Sequence, residues 1–483
     1  MSPPMKKNGS DIVVLGAGPA GSAAAVEASA LGLYVTLFDE NPVAGGQVYR
    51  QSPGIRSTAS SQEQVQGDAL GAALTASTVD KCFEHRVWQV ERLQSGFAVH
   101  AVGPEGPVVR EARALIVASG ATERQFPIAG WERQGVLSLA GATVLIKSQR
   151  MLPGRNVVVA GSGPLLMVVA AAIIEGGGTV AAVIDANPRR AWWADMGALA
   201  SRPDLLARGA GWIRTLVAHR VPMLFSHVLR RIDGNPAVSR VEAVPIGAGG
   251  APLPDAQALS IQCDSVCTGF GLLPSTDVTR LVGAAHIFDA VRDTWQVKID
   301  ADQRCSLAHL YACGDGTGVA GAAAAPWQGR VAALAAAHDL GILSLGVAVE
   351  KMRPARRQRD IAARFGMAMA RLANVRPNMV EGITDATVVC LCEGITRATL
   401  DAAIDLGCVT QNDLRSATRC GMGPCGGRLC EDVTSRLIAA RTGLSRQVIG
   451  QPTGRPPLRP VDLNTLAGTF DYDSLPMAQP SPL

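Results

Sequence analysis

Aromatic residues make up only 4% of the 483-residue chain. A surface that stacks nucleic-acid bases needs many more, so nucleic-acid binding is excluded as the main role. Net charge is small as well: 45 basic against 41 acidic side chains leave +4, too little to draw the chain to a polyanion or an anionic bilayer. No apolar run approaches the roughly 20 residues that cross a membrane. The longest, Pro164 to Ile174, stops at Glu175, and a later alanine-rich stretch is broken by Arg330, His338 and Asp339. Met1 to Ser10 carries two lysines with no apolar segment behind them, unlike a secretory signal. A cytoplasmic protein is expected, with peripheral association at the inner face of the membrane only through partners.

Several catalytic signatures are missing. No C-x-x-C or C-x-x-x-x-C pair occurs before the last hundred residues, which excludes a redox dithiol there. No G-x-S-x-G is present, and the seven histidines are dispersed. A nucleophilic hydrolase and a histidine-ligated metal enzyme are therefore unsupported, and no catalytic residue can be named.

What is abundant is glycine, 52 residues, with hydrophobic residues at 47%. That suits two or three domains with buried cores and tight turns. Ile12 to Leu15 reads as a buried parallel strand, and it runs directly into Gly16-Ala17-Gly18-Pro19-Ala20-Gly21. This is G-x-G-x-x-G between a strand and a helix, the context that a dinucleotide-binding turn requires. Gly16 permits the turn, Gly18 lets the backbone approach a pyrophosphate, and Gly21 allows close helix packing. The helix start that carries Pro19 and Ala20 then faces the phosphate charge. Asp39, or its neighbour Glu40, ends the next strand, where a carboxylate can accept from a ribose hydroxyl.

FAD and NAD are not separated by that motif. Three other features favour FAD: Gly45-Gly46-Gln47 after the second strand, Ala121-Thr122 closing a strand at Ala114 to Ala118, and Gly314-Asp315 after a strand near Leu310. Asp315 can hydrogen-bond a ribityl chain, which NAD lacks. A second unit starts at Val157 with Gly161-Ser162-Gly163, and Asp185 ends its second strand. Asp185 would favour NAD over NADP by repelling a 2′-phosphate, while Leu166 stands where a third glycine would be. A vestigial, empty module is the competing reading.

Cysteine is concentrated. Of 11 cysteines, six fall between Cys390 and Cys430. Cys390-Leu391-Cys392 and Cys420 with Cys425 form two close pairs that can hold a [2Fe–2S] core, or a structural zinc ion. Glycines around the second pair leave room for backbone N–H groups near the sulfurs. Cys408 is expected in the core. Cys430 is expected to continue the helix of Cys425, about 140° around it, and so to point elsewhere. The other five cysteines read as ordinary buried thiols.

These motifs resemble the alpha-type subunits of bacterial hetero-oligomeric amino-acid and opine dehydrogenases. That group includes the A subunit of opine oxidase, the B subunit of hydrogen cyanide synthase and D-hydroxyproline dehydrogenase alpha subunits, with sarcosine oxidase alpha subunits more distant. The resemblance runs over nearly the whole chain, through the motifs above together with Ile128-Ala129-Gly130-Trp131 and Arg455 to Pro460. It implies FAD, or in some relatives NAD or ATP, in the first module, and in some an FMN between subunits. It also implies a beta-type flavoprotein partner that oxidises the amine, alongside a small ferredoxin-like subunit in some complexes. The cysteine region resembles bacterioferritin-associated ferredoxin.

The expected fold is α/β. A discontinuous FAD-binding domain covers residues 1–128 and 250–345, and a Rossmann-like NAD-binding domain covers 129–249. A linker at 346–386, a small helical [2Fe–2S] domain at 387–450 and a proline-rich tail at 451–483 complete it. The expected function is FAD- and [2Fe–2S]-dependent electron transfer within a dehydrogenase complex. Two rivals remain: a self-contained NAD(P)H-dependent flavin and iron–sulfur reductase, and a scaffold with structural nucleotide and zinc.

Overall fold

In the computed structural model, residues 9–49, 62–194, 197 and 202–467 are described. The extreme N-terminus and the tail beyond residue 467 lie outside them. The first sheet has a parallel core ordered Asp80–Cys82, Val35–Phe38, Gly9–Leu15, Gly106–Val117 and Leu310–Ala312. The strand Gly106–Val117 serves two roles along its length. Residues 106–112 pair antiparallel with Gly96–Gly103, itself paired to Arg86–Leu93, while Leu115 to Val117 pair parallel with Leu310 to Ala312.

Gly9–Leu15 shows why a parallel strand reads as a continuous apolar run. Ile12 and Val14 pack in the core on the helical face, whereas Val13 and Leu15 pack with Phe97 and Val99 on the other. The helices Pro19–Ala30 and Ala325–Asp339 cover the first face. They approach so closely that a Cβ on Gly329 would lie 1.9 Å from the Ala20 carbonyl oxygen, which accounts for the alanine and glycine content of both.

The second module is a five-stranded parallel sheet ordered Met223–Phe225, Thr179–Asp185, Asn156–Gly161, Ser265–Gly269 and Val136–Ser138. Helices Leu165–Glu175 and Pro203–Ala218 flank one face. An antiparallel sheet of His227–Gly234, Val238–Pro245 and Leu259–Gln262 covers the other. The expected boundary at residue 250 is therefore corrected: residues 259–269 belong to the second module. Ser265–Gly269 is a central strand there, buried along its whole length, and the chain returns to the first module only afterwards. Two short antiparallel strands, Ala121–Glu123 and Leu272–Pro274, make the double crossing between modules.

The expected linker is largely one helix, Leu345–Leu372, with Pro354 inside it. Ala348, Met352 and Ala355 pack on the first module, and Ala362 on Ala320 and Ala324. A short turn, Pro377–Gly382, leads to the cysteine domain, a two-strand hairpin with helices Arg397–Asp405, Gln411–Thr418 and Glu431–Thr442. Its core is continuous with the rest of the chain, because Phe126, Phe270 and Val375 pack among Leu400, Val433 and Leu437. The described part of the tail wraps the surface: the Leu458 N–H donates to the Trp88 carbonyl at 2.7 Å. Among the described residues, no helix is long and apolar enough to cross a membrane.

Candidate functional site

The Gly16–Gly21 turn sits at the carboxyl end of Gly9–Leu15, with Pro19 opening the helix. Its glycines divide by duty. A Cβ on Gly16 (φ +101°) would lie 2.4 Å from the Ala118 carbonyl oxygen, and one on Gly21 would lie 1.8 Å from the Gly16 carbonyl oxygen. Both positions are closed by the fold. A Cβ on Gly18 meets nothing nearer than Gly46 Cα at 4.0 Å, so the turn is bare where a pyrophosphate would approach. The Gly45-Gly46 turn folds over it, with the Gly45 N–H donating to the Ala17 carbonyl at 2.8 Å, and Gln47 is exposed.

Asp39 is buried, and its carboxylate braces the turn: Oδ2 accepts from Ala17 N–H at 2.6 Å, and Oδ1 from the backbone and side chain of Asn41. Glu40 beside it is exposed and lies 3.9 Å from Arg459 of the tail. Gly314-Asp315 reaches the same turn, since a Cβ on Gly314 would lie 3.0 Å from that of Ala20. The Gly314 N–H donates to Gln328 Oε1 at 2.9 Å, and Asp315 Oδ1 accepts from Ala320 and Gly321 N–H at 3.3 and 3.2 Å. Burial pushes the Asp315 carboxyl upward, against the pull of those two donors. Ala121 and Thr122 lie in the crossing strand, just past Ser119, whose hydroxyl donates to the Ser275 carbonyl. The five segments thus converge on one strand edge, and the residues present fit a dinucleotide with a polyol chain.

The second module repeats the spacing of the first two glycines in a different backbone conformation, with φ −68° at Gly18 and +96° at Gly163. Asp185 is buried with both oxygens in use: Oδ1 accepts from the backbone and side chain of Asn187, and Oδ2 from Trp192 Nε1 at 2.9 Å. Burial raises its pKa to about 6, against the pull of those donors. A Cβ on Gly163 (φ +96°) would lie 3.0 Å from Ala373 Cβ, and one on Gly161 1.8 Å from the Gly269 carbonyl oxygen. A cavity of about 950 Å³ lies between the modules, against Tyr49, Ser162, Trp192, Leu205, Phe365 and Met369. The second glycine turn borders it through Ser162, Pro164 and Leu165.

In the cysteine domain, the sulfurs of Cys390, Cys420 and Cys430 all lie within 4.8 Å of one another and are buried. Cys392 accepts from the Cys425 N–H and contacts its thiol. The expectation that Cys430 points away is overturned. The helix does not begin until Glu431, and Gly426 and Gly427 take positive φ (+65° and +86°), so a tight turn swings Cys430 inward. Cys408, as expected, packs at the edge of the core. Thiol donors from Cys420 and Cys430, then the Gly421 and Glu393 N–H groups, pull the Cys390 pKa far down against burial. Gly423 leaves room for Cys392, since its Cβ would lie 2.3 Å from the cysteine's Cβ. A pocket of thiols, N–H donors and bare glycine backbone fits a thiolate-ligated iron–sulfur core.

Sequence reasoning missed a buried ion network that joins this domain to the crossing between modules. Asp432 lies 3.3 Å from Arg124, 2.9 Å from Arg436 and 2.6 Å from Arg446. Asp293 pairs with Arg436 and Arg446 at 2.6 and 3.0 Å. Burial lowers the Arg124 pKa to about 10 despite Asp432. These residues carry no motif and come from distant segments. Trp131, by contrast, stands in a stretch already singled out, and its Nε1 donates to the Val388 carbonyl at 2.7 Å, beside the cysteine hairpin.

The family model described as pyridine nucleotide-disulphide oxidoreductase matches residues 10–341. The chain is 34% identical to the A subunit of opine oxidase from Agrobacterium tumefaciens, over 95% of this chain and 91% of that one. It is 30% identical to hydrogen cyanide synthase subunit HcnB of Pseudomonas protegens, over 93% and 96%. A solved L-proline dehydrogenase of P. horikoshii shares the fold, with a TM-score of 0.68 at 17% identity, covering 95% of this chain and 80% of that one.

Proposed function

Since the chain belongs to the pyridine nucleotide-disulphide oxidoreductase family, and is similar along nearly its whole length to the opine oxidase A subunit and to hydrogen cyanide synthase subunit HcnB, we propose that it is the FAD- and [2Fe–2S]-bearing electron-transfer subunit of a multi-subunit amino-acid or opine dehydrogenase. The observation that carries this reading is the cysteine group. Its domain shares a core with Phe126 and Phe270, so the thiol pocket is built into the same body as the dinucleotide turn. Relatives along nearly the whole chain are themselves named as subunits.

In this reading Gly18, under the cover of Gly46, receives the pyrophosphate. Asp39 holds the turn in shape, Glu40 stands at the ribose end, and Asp315 faces the ribityl chain. Cys390, Cys392 and Cys425, with one of Cys420 and Cys430, ligate the cluster. Bound flavin supplies the exchange between two-electron and one-electron chemistry, which a cluster can relay across a subunit boundary. Amine oxidation is assigned to a beta-type flavoprotein partner, because the relatives are named as subunits and no carboxylate clamp or placed base is identifiable among the described residues.

The test is expression of the chain with and without a candidate partner flavoprotein, followed by amine-dependent reduction of an artificial acceptor. The purified chain should be brown, release FAD, and contain about two iron and two sulfide per chain. Activity should require the partner. Full activity from this chain alone would refute the subunit reading. NAD or ATP in place of FAD in the extract would overturn the flavin assignment, and zinc without sulfide would overturn the cluster.

A further inference from the structure

The thiols of the cysteine domain divide into a hidden set and an open pair. Cys390, Cys420 and Cys430 are at most 3% exposed, whereas Cys392 is exposed and Cys425 half-buried. Cys392 accepts from the Cys425 N–H and contacts its thiol, so these two form one unit. Of a four-thiolate set, the half that reaches solvent is therefore Cys392 with Cys425. Two loop tips meet there. Residues 391–394 turn the hairpin of Val388–Cys390 and Ile395–Thr396, and residues 421–427 form the glycine-rich turn before Glu431–Thr442. They abut at Gly423, where a Cβ would lie 2.3 Å from that of Cys392.

What the tips show to solvent is apolar. Leu391 is 39% exposed and Met422 54%, neither packs into the domain's core, and Pro424 beside Gly423 is exposed as well. The edge carries a cation. Arg419 caps the helix Gln411–Thr418 in the left-handed conformation (φ +64°), and its side chain is 67% exposed. Its Nε donates to Glu393 Oε2 at 3.0 Å, while its two terminal nitrogens have no partner among the described residues. The Met422 N–H donates to the Arg419 carbonyl at 3.0 Å, so one turn fixes the cation and the apolar tip together. Arg415 and Arg428 are paired with Glu431 and Asp277, which leaves Arg419 to face outward. An apolar centre with methionine and an arginine at its edge has the composition of a protein–protein contact.

We propose that Leu391, Met422 and Pro424, with Arg419 at their edge, form the face on which the amine-oxidising flavoprotein docks, and that its matching surface is apolar with a carboxylate opposite Arg419. The proposal rests on the electron-transfer reading above, since redox use of Cys392 and Cys425 is what makes this face useful to a partner. Each transfer across it oxidises the partner's reduced flavin by one electron and reduces the iron–sulfur core by one. Two transfers, with release of two protons to solvent, return that flavin to its oxidised state after each amine is oxidised. Docking at the open thiol pair keeps the path between the two proteins short, whereas the hidden set faces this chain's own core.

The test uses the full chain with its own cofactors and the flavoprotein that confers amine-dependent activity on it. Complex formation should slow hydrogen exchange at residues 391–394 and 421–426. The double variant Leu391→Glu, Met422→Glu should weaken association about tenfold or more, with iron, sulfide and the spectrum of the dithionite-reduced protein as in wild type. Arg419→Gln should weaken association at low ionic strength and matter less at about 0.5 M salt. Leu345→Glu, at the exposed start of the linker helix, should leave association unchanged. Unslowed exchange in both loops, wild-type association of the double variant, or loss confined to Leu345→Glu would each overturn the docking face. Iron and sulfide missing from the wild-type chain would overturn the cluster reading beneath it, a result that metal analysis separates from a failure of docking.

Discussion

Arg124 Nε lies 3.3 Å from Asp432 Oδ2, with both side chains buried. One residue stands in the crossing between the two modules, and the other opens the helix Glu431–Thr442 that follows the last cysteine. The pair belongs to a set of three arginines and two aspartates, so every member depends on the others for neutralisation. A buried ion network of this kind contributes little net stability, but it is costly to break from one side.

Asp432→Asn should therefore destabilise the protein by about 3–5 kcal/mol, read as a lower urea midpoint with loss of iron. Burial opposes ionisation of Asp432, and Arg436, Arg446 and Arg124 more than reverse it, holding its pKa well below the ordinary carboxylate range. Its contribution is then complete above the unfolded pKa of about 3.9 and is lost as pH falls toward the folded value. Acid unfolding of the variant should lack that part of the wild-type slope. An unchanged midpoint would refute the network's role.

The glycines of the first turn separate folding from binding. Gly18→Ala adds a methyl in open space at φ −68°. It should leave the thermal midpoint of flavin-free protein near wild type while weakening flavin retention about tenfold or more, which corresponds to about 1.4 kcal/mol. Gly21→Ala drives a methyl into the Gly16 carbonyl and should cost about 1–3 kcal/mol of stability even without flavin. Equal effects on both properties in both variants would contradict this division.

Glu123 predicts a neutral-pH effect. Burial raises its pKa to about 7, although the Ala140 N–H, which donates to Oε2 at 2.8 Å, favours the ionised form. The folded protein thus holds this proton more tightly than the unfolded chain does. The resulting stability is fully present below about pH 4.5 and is lost as pH rises through about 7, to a total of at most about 3 kcal/mol. Glu123→Gln should flatten that fall in urea midpoint between pH 5 and 8. A wild-type profile that does not decline there would refute the prediction.

Cys390, Cys420 and Cys430 meet in one buried group and Cys392 contacts Cys425, which makes five thiols, one more than a four-thiolate cluster uses. Serine at Cys390, Cys392 or Cys425 should abolish iron and sulfide retention. Of Cys420→Ser and Cys430→Ser, one should abolish it and the other leave it. Loss in both variants, or in neither, would contradict a four-thiolate set drawn from these residues. Cys408→Ser should leave the cluster intact.

The sequence by itself determined what depends on a few consecutive residues. The strand-to-helix turn at Gly16, its repeat at Gly161, the Gly314-Asp315 step and the first cysteine pair are legible because a glycine's freedom and a strand's apolar run act over short range. Asp39 and Asp185 likewise fall at the ends of strands that their apolar runs define. Tertiary structure decided whatever depended on which distant segments share space. The strand Ser265–Gly269 joined the second sheet by pairing with Asn156–Gly161, a choice that composition does not encode. Cys430 turned inward because glycines delayed the start of its helix, where helical continuity from Cys425 would have turned it away. Whether a glycine-rich turn faces open space, as at Gly18, or an alanine, as at Gly163, rests on where the end of a 28-residue helix comes to lie. Local sequence shapes the turn, and long-range packing chooses what lies against it.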